Sequence, residues 1–176
     1  FAVTEEGAGS SLGEVSTTAE RDGDGWKLTG TKTYISNAGV ADRYTVLART
    51  GEDETTMFSI PAEEVTVERF EVMAPHPIGE VKMAGASVPD SARLGEVGEG
   101  LDLALANLQR FRTSVAAAAC GFARRALDES VSHLSEREQF GRKLSKFQGL
   151  RFDIAEMDAR LRAGQLLVQE ASTLLD

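Results

Sequence analysis

The six residues Gly95-Glu96-Val97-Gly98-Glu99-Gly100 divide the sequence into two parts of different character. Before them, short runs of β-branched and aromatic residues alternate with turn sequences such as Asp22-Gly23-Asp24-Gly25, a pattern typical of a β-sandwich or barrel. After them, apolar residues recur every three or four positions over long stretches, which is the period of an amphipathic helix. We therefore predict an α+β chain with a β-rich domain over 1–97 and a helical domain over 98–176.

Six strand-like segments are predicted in the first part. They cover 26–29, 32–36, 44–48, 57–60, 65–67 and 80–83. The sequence Thr29-Gly30-Thr31 between the first two predicts a turn. Pro75 and Pro77 flank His76 in a connection that we expect to be irregular, and the isolated His76 is assigned no metal or catalytic role.

Two long helices are predicted in the second part. The apolar positions of the first begin at Leu101 and its helix extends to about 135–139, whereas those of the second begin at Phe147. Phe140-Gly141-Arg142-Lys143 separates them. Two helices alone cannot bury both apolar faces, so we expect an incomplete four-helix bundle whose other helices come from further sequence or another subunit.

Composition and charge narrow the class of protein. The chain is 41% hydrophobic and 27% charged, as in ordinary globular proteins, and its net charge of −9 argues against nucleic acid as a partner. No apolar run is long enough to span a membrane. Cys120 is the single cysteine, which excludes a disulfide framework and favours a cytoplasmic setting. A start at Phe1 and an end inside a predicted helix lead us to expect a fragment.

The first ten residues, Phe1-Ala2-Val3-Thr4-Glu5-Glu6-Gly7-Ala8-Gly9-Ser10, join a strand-like opening to a loop of small residues. Small residues let backbone N–H groups approach a ligand closely, and the hydroxyls of Thr4 and Ser10 add two side-chain donors. By itself, the pattern describes an ordinary strand-to-turn junction equally well.

Four segments together resemble the acyl-CoA dehydrogenase family of flavoproteins. The first is Val3-Thr4-Glu5 with Gly7-Ala8-Gly9-Ser10, and the second is Leu28-Thr29-Gly30-Thr31-Lys32 with Tyr34-Ile35-Ser36-Asn37. The third is Gly98-Glu99-Gly100 before a long helix, and the fourth is 137–141 with Gln148 soon after. Their order and spacing match the family over essentially the whole chain.

The resemblance implies a middle β-domain followed by the first part of a C-terminal four-helix bundle, with FAD as cofactor. Members oxidise an acyl-CoA thioester between Cα and Cβ: a glutamate takes the α-proton and flavin N5 takes the β-hydride. Most members carry that glutamate near the C-terminus, which implies a position beyond Asp176. A minority carry it on the first long helix, where Phe111 stands in this sequence. The catalytic base is therefore left unassigned.

Matching positions imply a set of site residues. Val3, Thr4 and Ser36 would lie along the flavin ring edge, where fixed donors stabilise the electron density that the ring gains, and Tyr34 would pack on one ring face. The implied cofactor-binding residues are Phe1, Val3, Thr4, Tyr34, Ile35, Ser36, Arg137, Gln139, Phe140 and Gln148, the last four reaching the FAD of a neighbouring subunit. The implied substrate-binding residues are Ser10, Gln109 and Arg112. No metal ligand is expected.

Simpler interpretations of three of these residues remain open. Tyr34 also fits a β-surface aromatic, Arg112 fits an exposed helix charge, and Arg137 fits surface pairing with Glu136 or Glu138. The implied partners are an electron-transfer acceptor and one or three further copies of the chain, as a homodimer or homotetramer.

The sequence departs from the family pattern at two places. Met73-Ala74-Pro75-His76-Pro77-Ile78 replaces an arginine and hydroxyl residues near the substrate path, and Gln109 stands where some members have an acidic residue. An acyl group on a carrier protein is therefore an alternative to acyl-CoA. A flavin monooxygenase and a non-catalytic assembly subunit are further alternatives with the same fold.

Overall fold

The computed structural model describes residues 1–175 and confirms the α+β class. They divide into two compact units, Phe1–Asn107 and the chain from Leu108 onward. The strands are β1 (Thr18–Asp22), β2 (Gly25–Ser36), β3 (Arg43–Arg49), β4 (Thr55–Pro61), β5 (Thr66–Arg69), β6 (Ile78–Pro89), β7 (Arg93–Leu94), β8 (Glu138–Gln139) and β9 (Arg142–Lys143). The long helices are α1 (Gly100–Glu136) and α2 (Gln148–Thr173).

The first unit contains one seven-stranded sheet in the order β5-β6-β2-β1-β3-β4-β7. Neighbouring strands are antiparallel except β1 and β3, which pair in parallel at Thr18 and Arg49. The predicted turn at 22–25 joins β1 to β2, and Gly23 takes the positive φ of 57° that this hairpin requires. All six predicted strand segments lie within or overlap observed strands.

The turn predicted at Thr29-Gly30-Thr31 is wrong, because β2 runs unbroken through it. Gly30 lies beside a register shift in the pairing of β2 with β6. A Cβ atom on Gly30 would lie 2.7 Å from the Thr17 Cα atom, which is closer than two carbons can pack. The glycine therefore permits a close approach between two segments, a role that glycine also has in strands.

The core of the first unit is a continuous cluster of buried side chains from the sheet. Trp26 and Phe58 meet in it with ring centroids 5.3 Å apart, in an edge-to-face arrangement. The start of α1 is fixed to this unit through β4: the Gly98 N–H donates to Thr56 Oγ1 at 3.1 Å. A Cβ on Gly100 would lie 2.6 Å from the Thr56 Cα, so glycine is required there.

The second unit consists of the remainder of α1, the β8–β9 hairpin and α2. The predicted helix break at 140–143 is confirmed, with Phe140 and Gly141 at the hairpin turn at φ of 52° and 76°. The helices are neighbours at Cys120 and Gly164, since a Cβ on Gly164 would be in ordinary van der Waals contact with the Cys120 sulfur at 3.5 Å. Large apolar side chains are exposed on both helices, among them Val115, Phe122, Leu166 and Leu167. Among the described residues, no helix is long and apolar enough to cross a membrane.

Candidate functional site

The opening segment of the chain extends the sheet beyond the start of β1. On one side, the Ala2 N–H donates to the Thr45 carbonyl at 2.7 Å, and Ala2 lies opposite Val46 in a parallel bridge. On the other side, the Thr33 N–H donates to the Thr4 carbonyl at 2.9 Å. The first four residues therefore lie between β2 and β3.

A buried ion pair joins this segment to β2. The Lys32 Nζ lies 2.7 Å from Glu5 Oε1, and the two side chains are 0% and 5% exposed. The same ammonium group donates to the Val3 carbonyl at 3.2 Å. One charged group thus fixes both the backbone and a side chain of the opening segment.

Glu5 receives further hydrogen bonds from the chain just before β1. Its Oε2 accepts from the N–H of Ser16 at 2.6 Å and from that residue's hydroxyl at 2.5 Å. Its Oε1 accepts from the N–H of Thr17 at 3.0 Å and from the Thr17 hydroxyl at 2.6 Å. Thr17 is also the residue that packs closely against Gly30. The position of Thr17 therefore links the close contact at Gly30 to the hydrogen bonds that Glu5 accepts.

Burial and hydrogen bonding have opposing effects on the pKa values of Glu5 and Lys32. Burial raises the pKa of Glu5, but hydrogen bonds from Lys32, Ser16 and Thr17 outweigh it and lower the pKa to about 2. Burial lowers the pKa of Lys32, and the carboxylate of Glu5 opposes that shift. Glu5 is consequently ionised at neutral pH and serves as a structural anion.

Tyr34 lies on an irregular turn of backbone inside β2. The pairing of β2 with β6 shifts register between Lys32 and Ile35, and Tyr34 has a φ of 55°. A left-handed conformation is uncommon for a bulky residue and marks a site where surrounding structure imposes it. The Tyr34 side chain is 67% exposed, whereas Ile35 is buried in the core. Ile35 can therefore meet a ligand only through its backbone.

Ser36 ends β2 and meets a residue that the sequence left without a role. Its Oγ lies 3.1 Å from Nε2 of His76. The pairing joins residues 40 positions apart, and the surrounding prolines predicted only an irregular connection. No periodic pattern in the sequence could have revealed it.

Ser10 lies beyond a tight turn at the end of the opening segment. The Glu5 N–H donates to the Ala8 carbonyl at 3.0 Å, and the Ala8 N–H donates back to Glu5 at 3.2 Å. Cβ atoms on Gly7 and Gly9 would meet no atom within 4 Å, so this turn is open on its outer side. Ser10 itself is exposed, as is Phe1 at the chain start.

The remaining predicted site residues lie in the second unit and are exposed. Arg137 follows α1, and its carbonyl accepts from the Leu144 N–H at 2.9 Å, which closes the hairpin. The Phe140 ring is 91% exposed with its centroid 6.3 Å from that of Phe147. A surface groove of about 460 Å³ runs beside these rings and includes Gln148. Gln139 lies in β8 of the same hairpin.

Arg137 forms no ion pair within 4.0 Å in the part of the chain that the structure describes. The surface pairing of Arg137 with Glu136 or Glu138 is thus not found there. Gln109 and Arg112 are exposed on α1, and their spacing of three residues places them on one helix face.

Two family models match the chain in the order that this architecture requires. The model of the acyl-CoA dehydrogenase middle domain matches residues 1–86, and that of the acyl-CoA dehydrogenase C-terminal domain matches residues 98–176. The chain belongs to the acyl-CoA dehydrogenase family. The resemblance of the four sequence segments is thereby confirmed.

The relatives of this chain include two proteins that are named as reductases or as part of a reductase complex. It is 37% identical over 185 residues to the 3-(aryl)acrylate reductase of Clostridium sporogenes, covering 100% of this chain and 49% of the relative. It is 36% identical to the caffeyl-CoA reductase-Etf complex subunit CarC of Acetobacterium woodii, with coverages of 100% and 49%. The chain thus spans about half the length of the curated relatives it matches.

A solved structure of the butyryl-CoA dehydrogenase from Megasphaera elsdenii has the same fold. It superimposes with a TM-score of 0.92 at 32% identity, over 97% of this chain and 47% of that chain. In this member of the family, the Glu5–Lys32 pair joins the first two of the four matching segments within the first unit.

Proposed function

We propose that the protein containing this chain oxidises an acyl-CoA thioester between Cα and Cβ with FAD as cofactor. The observation that carries this proposal is the joining of the segments Val3–Thr4 and Tyr34–Ser36 by the buried Lys32. Both segments match the flavin-binding segments of the family, and the ion pair holds them side by side. We further propose residues 1–97 and 98–176 as the two domains.

The donor set of the first unit fits the edge and face of a flavin ring. Among the described residues, the N–H groups of Val3 and Thr4 donate to no acceptor, although the carbonyl oxygens of both residues are hydrogen-bonded. Ser36 adds a hydroxyl and Tyr34 adds an exposed aromatic ring. Backbone and hydroxyl donors suit the electron-rich ring edge, and an aromatic side chain suits its apolar face.

The reaction removes two hydrogens from adjacent carbons. The flavin supplies the acceptor for the hydrogen and electron pair that leave Cβ, while a base takes the proton from Cα and the double bond forms between them. We assign the base to a glutamate outside residues 1–176. The residues of this chain orient the acceptor: Val3, Thr4 and Ser36 hold its edge and Tyr34 covers one face. Ser10, Gln109 and Arg112 bind the substrate.

The exposed residues of the second unit are proposed to bind the FAD of a neighbouring subunit. The free guanidinium of Arg137 suits a pyrophosphate group, for which arginine offers paired donors. Phe140 and Gln148 line the groove beside the hairpin, and Gln139 precedes Phe140 in β8. A complete site would then require a homodimer or homotetramer.

Reduction of a conjugated acyl thioester is a second candidate function. Two relatives at 37% and 36% identity are named as reductases, one of them as part of a complex with Etf. The same residues serve both directions, because hydride transfer is reversible. We propose an electron-transferring flavoprotein as redox partner in either case.

Anaerobic titration of the purified full-length protein tests these proposals. An acyl-CoA should bleach the visible absorption band of the bound flavin in a 1:1 ratio with the enoyl-CoA formed. Bleaching only by an external reductant, followed by recovery on adding an enoyl-CoA or arylacrylyl-CoA, would favour the reductase. A colourless protein that cannot be reconstituted with FAD would contradict both.

A further inference from the structure

The loop between β5 and β6 is attached to the end of β2 by three separate contacts. The Phe70 ring meets the Tyr34 ring edge-to-face with centroids 5.5 Å apart. The Asn37 N–H donates to the Pro77 carbonyl at 2.7 Å. The third contact is the 3.1 Å hydrogen bond between Ser36 and His76.

These contacts hold His76 in place at the end of β2. Its own N–H donates to the Ala74 carbonyl at 2.7 Å, and prolines on both sides restrict the backbone. The Ser36–His76 bond therefore joins two segments that are each fixed by other contacts.

The charged side chains of β5, the loop and β6 are Glu68, Arg69, Glu71, Glu80 and Lys82, and those of β2 are Lys27 and the buried Lys32. The aliphatic part of Arg69 packs against Gly39. Within the described residues, no carboxylate lies within 4.0 Å of a ring nitrogen of His76. Ser36 is the one side chain there that forms a hydrogen bond with the His76 ring.

We propose that His76 is a positioning residue for Ser36, and that its protonation state decides whether the Ser36 hydroxyl presents a donor or an acceptor to the cofactor. This inference rests on the proposed function, which places Ser36 against the flavin. His76 itself need not touch the cofactor.

A serine hydroxyl has a single hydrogen. When the His76 ring is protonated, both ring nitrogens are donors, so Nε2–H donates to Ser36 and the hydroxyl hydrogen is free for another acceptor. When the ring is neutral with Nε2 unprotonated, Ser36 donates to His76 and offers only its oxygen lone pairs elsewhere.

The test is a pH titration of the absorption spectrum of the oxidised, FAD-loaded full-length protein. The titration spans about pH 5 to 8, the range in which imidazole side chains ordinarily change charge. We expect a spectral change with one inflection in the wild type. Both His76→Gln and Ser36→Ala should lose that inflection. Glutamine has no titratable group, and alanine has no hydroxyl through which the protonation state of His76 could change the hydrogen bond to the flavin.

The His133→Gln variant is the matched control, because it removes the other histidine of the chain from helix α1. It should retain the inflection. A wild-type spectrum that does not change over this range would overturn the proposal. An inflection that persists in Ser36→Ala would overturn the hydroxyl relay and assign the effect to the charge of His76 alone.

The outcome can be separated from a failure of the proposed function. If the protein binds FAD but acyl-CoA does not bleach the flavin, the proposal of acyl-CoA dehydrogenation is contradicted. The spectral titration of the bound FAD still tests the role of His76. If the protein binds no FAD, NMR titration of the His76 ring in wild type and Ser36→Ala tests the coupling directly. Identical His76 titration curves in the two proteins would then overturn the proposal.

Discussion

The ammonium nitrogen of Lys32 and the carboxylate of Glu5 lie 2.7 Å apart with almost no exposure to solvent. A buried pair of this kind is costly to form, because two charges leave water, and breaking it is costlier still. It holds the opening segment against β2, at the positions that we propose bind the flavin.

Removing either member of the pair should destabilise the first unit strongly. Lys32→Met or Glu5→Gln alone should lower the free energy of unfolding by about 3–5 kcal/mol, because a buried charge loses its partner. The double variant Glu5→Gln/Lys32→Met should cost far less than the sum. Urea unfolding measures all three. Additive losses would show that the two groups do not interact.

Acid should weaken the contribution of Glu5 to stability. The folded state lowers its pKa from 4.5 to about 2, so the unfolded chain takes up the proton first as the pH falls. The stabilisation is complete above about pH 4.5 and is lost between there and about pH 2. The difference in unfolding free energy between wild type and Glu5→Gln should therefore narrow over that window. Glu6→Gln removes an exposed carboxylate from the same turn and controls for net charge.

Adding one methyl group at Gly30 should disturb the carboxylate site indirectly. The new Cβ would overlap Thr17, which donates two hydrogen bonds to Glu5. We expect Gly30→Ala to cost about 1–3 kcal/mol, the usual range for overpacking. Gly13→Ala is the control, because a Cβ there meets nothing within 4 Å. Equal thermal stability of the two variants would contradict this account.

Removal of the Arg137 guanidinium should weaken FAD binding without unfolding the protein. Arg137→Ala loses a charge-assisted contact to pyrophosphate, so the dissociation constant of FAD should rise about tenfold or more. Arg125→Ala removes another exposed arginine, one that pairs with Glu129 on α1, and should leave FAD affinity unchanged. Fluorescence titration of the apoprotein with FAD measures both. An unchanged affinity in Arg137→Ala would remove Arg137 from the cofactor site.

The sequence predicts the class of fold well because its local patterns agree with the tertiary structure. The turn predicted at 22–25 joins the hairpin β1–β2, and the helix predicted from the apolar period after Leu101 is observed as α1. The wrong prediction of a turn at Gly30 has a physical cause. In the sequence, a glycine between two strand-like segments looks the same whether it forms a turn or lets another segment pack closely against a continuous strand. Only the position of Thr17, which lies 13 residues earlier, distinguishes the two.

The sequence motifs predicted which residues belong to the candidate site, but not which residues they contact. Matching segments pointed to Thr4, Tyr34 and Ser36, but the contacts that hold them are long-range. Lys32 meets Glu5 across 27 positions, and His76 meets Ser36 across 40. Pairings of this length depend on how strands are ordered in a sheet, which neither periodicity nor composition encodes. Placement of the FAD and the substrate against these residues stays a prediction.

The position of the opening segment has a consequence for the order of folding. Residues 2–4 take their places through Thr45, Leu47, Thr33 and Lys32, which must already lie on adjoining strands. Hairpins such as β1–β2 close over a few residues, whereas these contacts close loops of about thirty to forty-five, and such closures form later. During folding, the strands of the sheet would therefore pair first, and residues 2–4 would take their places between β2 and β3 last.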